Sequence, residues 1–234
     1  GGGGAAVMTH FRYYTLPRIR WVLSILLLCL GLLSAWIALD TPLPSSSAAC
    51  ERLNREHYVI DNTILASGPI QYQELRGDYV PKSTWWFVGR QGDTVQFYTL
   101  DRLAGFLWRP ADTLPFWQLD LTQLEDPIYC NLFGSQPDID LAFEATPVVI
   151  CTDPRVVRVE AQLISLGASE RADPQAAIDS HGVSPTFTQV ADGVWAAPST
   201  LAPGPSDDSV AIWLAWCQGY DADGNLVCQS SPIS

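Results

Sequence analysis

The chain has 234 residues with 25 acidic and 13 basic side chains, for a formal net charge of −12. That balance repels nucleic acid, anionic lipid headgroups and phosphorylated substrates, and it suits a basic soluble partner. All 25 acidic residues follow Leu39, so the part after the apolar segment is more acidic than the whole, near −15.

Met8 reads as the initiator, and residues 1–7 stand outside the reading. Residues 1–20 form a tail carrying Arg12, Arg18 and Arg20. Residues 21–39, WVLSILLLCLGLLSAWIAL, hold no charge. As a helix they would extend roughly 28 Å, close to the ~30 Å of hydrocarbon in a bilayer. Trp21 and Trp36 lie near its ends, where indole rings favour the interface. Arginines before the segment and none after it until Arg52 put the N-terminus in the cytoplasm. The rest is then periplasmic or extracellular, held at the inner (plasma) membrane by one span. A cleaved signal peptide is the rival reading; Ser47-Ala48-Ala49 are small enough for cleavage but lie far past Leu39. Gly31 and Ala35 make a small-xxx-small pair on one helix face, which would let a second helix approach closely.

Residues 40–49, rich in Pro and Ser, read as a linker, and residues 50–234 as one extracytoplasmic domain with a sub-boundary near 131–145. A short helix is expected around Cys50 to His57. The pattern then turns β-like. Short runs at 58–60 and 63–65 precede a strand–turn–strand signal, with 84–88 and 94–100 flanking Gly89 to Asp93. Residues 101–117, broken by Pro110 and Pro115, read as an irregular loop. Residues 147–151 predict a buried strand and 155–164 a half-exposed one. The 168–185 stretch reads as a loop with one helical turn at 174–178. Short strands at 187–190 and 193–197, a loop at 197–208, and a closing hairpin of 210–217 with 225–228 complete the chain. Many short strands separated by Gly/Pro turns predict a mainly β fold: an antiparallel β-sandwich-like domain with long loops behind one N-terminal transmembrane helix.

Five cysteines follow the apolar segment. A four-residue loop at 221–224 would place Tyr220 opposite Asn225 and Cys217 opposite Cys228, within disulfide range. Cys130 with Cys151 is the next pairing, leaving Cys50 free, lipid-modified or bonded to another chain.

No cofactor is expected. There is no Cys-x-x-Cys-His for covalent haem, no His/Cys/His/Met set for blue copper and no close Cys pairs for zinc or iron–sulfur ligation. Asp221-Ala222-Asp223-Gly224-Asn225 resembles part of a calcium loop but lacks the closing carboxylate, so it reads as a polar turn. No Gly-x-Ser-x-Gly elbow, phosphate loop or dinucleotide fingerprint occurs; His57 and His181 could each pair only with a distant carboxylate, and the sequence favours no acid–base role for either. The chain is therefore read as a non-enzyme without catalytic or metal sites. The tryptophans stand out. Trp85 and Trp86 are adjacent, and Trp213 and Trp216 are three apart, so on strands each pair splits between two faces. One member of each must meet solvent, a covering element or a partner.

The first functional reading is a non-catalytic accessory subunit of a multisubunit membrane complex, of the respiratory or photosynthetic electron-transport kind, with other subunits and the lipid bilayer as partners. The alternative is an independent cell-surface module that binds carbohydrate or peptide through exposed tryptophans.

Overall fold

The structure is a computed structural model that describes residues 5–38, 41–70, 83–112, 115–134, 143–166, 173–202 and 212–230. The chain divides into two compact units, Gly1–Leu43 and Pro44–Ser234. In the first, helix α1 spans Ala5–Ala38, so the helix starts well before the apolar stretch. Its Ile19–Ile37 section has a mean hydropathy of 2.0 and is exposed all round. It is long and apolar enough to cross a membrane, and a secretion signal would have the same character.

The second unit is mainly β, with antiparallel pairing throughout the named strands. It opens with helix α2, Ser46–Glu56, which begins inside the expected linker. Ser45 sets that start: its hydroxyl accepts from the Ala48 N–H at 3.2 Å, satisfying one of the free donors of the first turn. Ala49, Cys50 and Leu53 line the buried face of the helix.

A first sheet contains β1 (Thr63–Ile70), β2 (Ser83–Gln91), β3 (Thr94–Leu103), β4 (Leu107–Pro110) and β5 (Phe116–Asp120). The β2–β3 hairpin closes at Gln91↔Thr94, where Gly92 takes a φ of +57°. Residues expected as an irregular loop instead supply β4 and β5. Both flank β3: a tight turn with Ala104 and Gly105 at positive φ folds β4 back on it, and β5 pairs with its other half. The two prolines that suggested a loop sit at the end of β4 and just before β5, where a missing N–H is tolerated.

A middle sheet holds β6 (Ile128–Gly134), β7 (Phe143–Cys151), β9 (Thr188–Ala191), β10 (Val194–Ala196) and β11 (Thr200–Ala202). A third contains β8 (Arg158–Leu166), β12 (Ile212–Tyr220) and β13 (Leu226–Gln229). Helix α3, Pro174–His181, is longer than the expected single turn; Asp173 caps it by accepting from the Ala176 N–H at 3.1 Å.

Strand β7 explains the core. Val148 and Ile150 pack with Val88, Val95 and Phe97 of the first sheet, whereas Val149 and Cys151 pack with Val159, Ala161 and Cys217 of the third. The middle sheet is thus buried on both faces, which is why residues 147–151 are uniformly apolar rather than alternating. The first sheet is also covered twice, since α2 packs against its β3 and β4.

The closing hairpin differs from the expected register. Tyr220 faces Leu226, a bulge follows, and Gly219 faces Cys228. Asp221 causes this: its N–H bonds the Asn225 carbonyl at 3.0 Å, and its Oδ1 accepts from the Asn225 N–H at 2.8 Å. Asn225 is therefore held within the turn. The Ser230 N–H bonds the Cys217 carbonyl at 2.8 Å, so Cys217 lies one two-residue step from Cys228 rather than opposite it.

Candidate functional site

Strict alternation along the third sheet separates its two faces. Cys217 and Gly219 of β12 and Val159, Ala161 and Leu163 of β8 point inward and are buried. Trp216, Gln218 and Tyr220 occupy the other face, beside Gln162, Glu160 and Arg158 through the pairs Trp216↔Gln162, Gln218↔Glu160 and Tyr220↔Arg158. Gln229 extends the row through its pair with Gln218.

This outer face floors a groove of about 750 Å³. One wall is the segment Ser184–Phe187, held in place where Val183 and Leu163 exchange two backbone hydrogen bonds at 2.8 and 2.9 Å. Gln175 on α3 lines the groove as well, and α3 packs Ala177 and Ile178 against Ile164 and Trp216. Trp216 is thus half-buried against this cluster and also lines the groove.

The charges in the groove are closed on each other. Arg158 meets Glu160 at 2.9 Å, and its guanidinium lies 4.4 Å from the Tyr220 ring centroid. The Tyr220 hydroxyl donates to Gln218 Oε1 at 2.9 Å. Desolvation, with the Glu160 carboxylate nearby, raises the Tyr220 pKa, so the phenol stays neutral. Among the described residues, the lining offers amides and aromatic rings but no uncompensated charge and no pair of carboxylates.

A second polar cluster lies under α2. Tyr98 is fully buried; its hydroxyl donates to Asn54 Oδ1 at 2.5 Å and accepts from the Asn62 amide. Cys50 is buried in the same region, and burial pushes its thiol up to about 12. A thiol so placed is protonated and shielded, which counts against lipid attachment or a bond to another chain at Cys50. Across the same sheet, Asp101 is buried, accepts from Thr84 Oγ1 at 2.8 Å and sits 3.4 Å from Arg109. These groups fasten α2 and β4 to β3.

The four tryptophans proposed from sequence have different fates. Trp86 is corrected from interface to core: it is 3% exposed and stacks on Phe133 with centroids 5.9 Å apart. Trp85 points to the opposite face of β2, as adjacency requires, but its own chain covers it. Trp108 of β4 meets it edge-on at 5.8 Å, and Arg102 lies 6.0 Å from its ring. Trp213 lies on β12, and its side chain is outside the described residues. Trp216 reaches the groove.

Cys130, Cys151, Cys217 and Cys228 share one core cluster between the middle and third sheets, with no S–S bond formed among the described residues. A Cβ added at Gly31 of α1 would meet no other atom within 4 Å beyond the helix's own backbone. His57 stacks on Phe116 at 4.2 Å; the His181 side chain is outside the described residues. The 221–225 turn uses its carboxylate internally: Asp221 accepts from Asn225 and Asp223, and these hydrogen bonds lower its pKa. Among the described residues no group of three or more His, Cys, Asp or Glu side chains is placed to hold a metal ion. The groove is the feature that sequence reasoning missed. Its signal was the alternating Trp216, Gln218 and Tyr220 set against Arg158, Glu160 and Gln162, legible only once β8 is paired with β12.

No family model, curated protein or solved structure matches this chain.

Proposed function

We propose that this chain is a membrane-anchored, non-catalytic binding protein whose second unit stands on the extracytoplasmic side and takes a neutral oligosaccharide in the Trp216 groove. The observation that carries this reading is the lining, an aromatic face beside several glutamines, with its one ion pair neutralised internally. Each glutamine amide offers both donors and an acceptor, which matches the paired hydroxyls of a sugar ring. An indole face packs against the ring's C–H surface and excludes water from it. A volume near 750 Å³ falls in the range of small-ligand sites. A phosphorylated or strongly acidic ligand would find no free cation among the described lining residues.

A glycan array probed with the full chain in detergent tests this. A neutral glycan should be retained, and both Trp216→Ala and the more exposed Gln162→Ala should weaken it by roughly tenfold or more. Failure to retain any glycan, or equal retention by both variants, sinks the proposal.

The accessory-subunit reading is kept as the second, because the Ile19–Ile37 helix is apolar and exposed on every side. A face carrying Gly31 and Ala35 suits a neighbouring helix in a respiratory or photosynthetic assembly. Stoichiometric co-migration with a large complex on native purification would favour it, whereas migration alone favours the independent binding protein.

A further inference from the structure

The four cysteines around the third sheet lie in an arrangement that sequence spacing alone does not reveal. In the middle sheet Cys130 faces Val149 and Cys151 faces Ile128, so the two cysteines share a face but are diagonal neighbours. In the third sheet Cys228 faces Gly219 and Cys217 is one step further along, again diagonal. Diagonal positions in an antiparallel pair stand roughly 7–8 Å apart, beyond the span that a disulfide bridges without backbone movement. Both within-sheet pairings, Cys217 with Cys228 and Cys130 with Cys151, are therefore poorly placed.

Across the gap between the sheets the geometry is different. The Cys151 and Cys228 sulfurs are 3.9 Å apart. Strand β6 packs against β12, and Cys130 and Cys217 are buried there in one cluster. Each diagonal pair on one sheet thus faces the matching diagonal pair on the other. We propose that Cys151–Cys228 and Cys130–Cys217 are two cross-sheet disulfides that stitch the middle sheet to the third. Two features support it. Gly219 opposite Cys228 leaves the room its sulfur needs, for a Cβ there would stand 2.8 Å from it. The four sulfurs also do not converge on one point as a tetrathiolate metal site requires, since no such group occurs among the described residues.

Each bond forms when two thiols give up two protons and two electrons, and glutathione disulfide, taking them, becomes two glutathione thiols. Before oxidation, burial raises the pKa of Cys151, and that of Cys228 to about 12, while interaction with the Cys217 thiol and burial raise that of Cys130. These sulfurs are poor nucleophiles once packed, so oxidation belongs to folding, and the finished bonds resist external thiols.

The test uses the full chain in detergent, refolded from urea in a glutathione redox buffer, so it does not depend on which side of a membrane the unit occupies. Remaining thiols are blocked with N-ethylmaleimide, and the chain is cut without reduction by trypsin and a protease specific for aspartate. Asp138 and Asp140 lie between Cys130 and Cys151, and Asp221 and Asp223 between Cys217 and Cys228, so all four cysteines fall on separate peptides. Mass spectrometry should recover the 151–228 and 130–217 linked pairs, with Cys29 and Cys50 alkylated. Any other pairing, or four alkylated thiols after this oxidation, overturns the proposal. A Cys151→Ser chain should keep the 130–217 link and leave Cys228 alkylated.

Discussion

Substituting Gly219 with alanine adds one methyl group at a tight point of the third sheet, against Cys228 of β13 and Val156 of the segment before β8. The new Cβ would lie 2.8 Å from Cys228 Sγ, 2.8 Å from Val156 Cγ2 and 3.1 Å from Val156 Cγ1. Ordinary contact begins near 3.4 Å, so two neighbours must each retreat by several tenths of an ångström. Neither can do so freely: Val156 is 5% exposed and stiff at χ1, and Cys228 is 8% exposed among the cysteines. Overpacking of this kind costs about 1–3 kcal/mol, against a gain of about 0.5–1 kcal/mol from replacing glycine within a strand. The net expectation is a loss of up to about 2 kcal/mol, which at a urea m-value of 1–3 kcal/mol/M moves the midpoint down by roughly 1 M. The measurement is urea unfolding of the full chain in detergent under reducing conditions, followed by tryptophan fluorescence. A midpoint equal to or above that of the unsubstituted chain would show that β12 and its neighbours do not approach this closely.

Two further outcomes follow from the packing. Burial holds the Cys50 thiol near 12, against 9.0 for an unperturbed thiol. Above pH 9 the unfolded chain therefore binds fewer protons there than the folded one, and stability should fall as pH rises from 9 towards 12. A Cys50→Ala chain should show a shallower fall in melting temperature over that range; identical slopes would contradict the buried placement. In α1, Gly31→Leu should loosen co-purification with a complex while leaving membrane insertion intact, because the space at Gly31 is open for a neighbouring helix. Unchanged co-purification would remove this helix face from any docking role.

The apolar segment, the β2–β3 hairpin and the buried strand at 147–151 were legible because each carries a local signal: length, turn chemistry and uniform apolarity. The strands at 107–110, 116–120 and 128–134 were not. All three adjoin a proline, and all three are defined by pairing to distant partners rather than by their own alternation. Trp85 and Trp86 were correctly split between faces, yet sequence could not reveal that β4 would fold back and cover Trp85. The cysteine register failed for one physical reason: Asp221 holds Asn225 inside the turn, and the bulge beyond it shifts every later pair. The groove depends on β8 meeting β12 across more than 40 residues, a relation no local pattern carries.

Both functional readings rest on one claim, that the chain crosses a bilayer once with its acidic β unit outside. The direct measurement is protease protection on sealed cells whose outer envelope, where one exists, has been opened. Epitope tags at each end of the full chain are followed on blots. External protease should remove the C-terminal tag and leave a small protected fragment bearing Arg12, Arg18 and Arg20. A protected C-terminal unit with a digested arginine-bearing tail, or release of the unit from the membrane without its helix, would contradict the account.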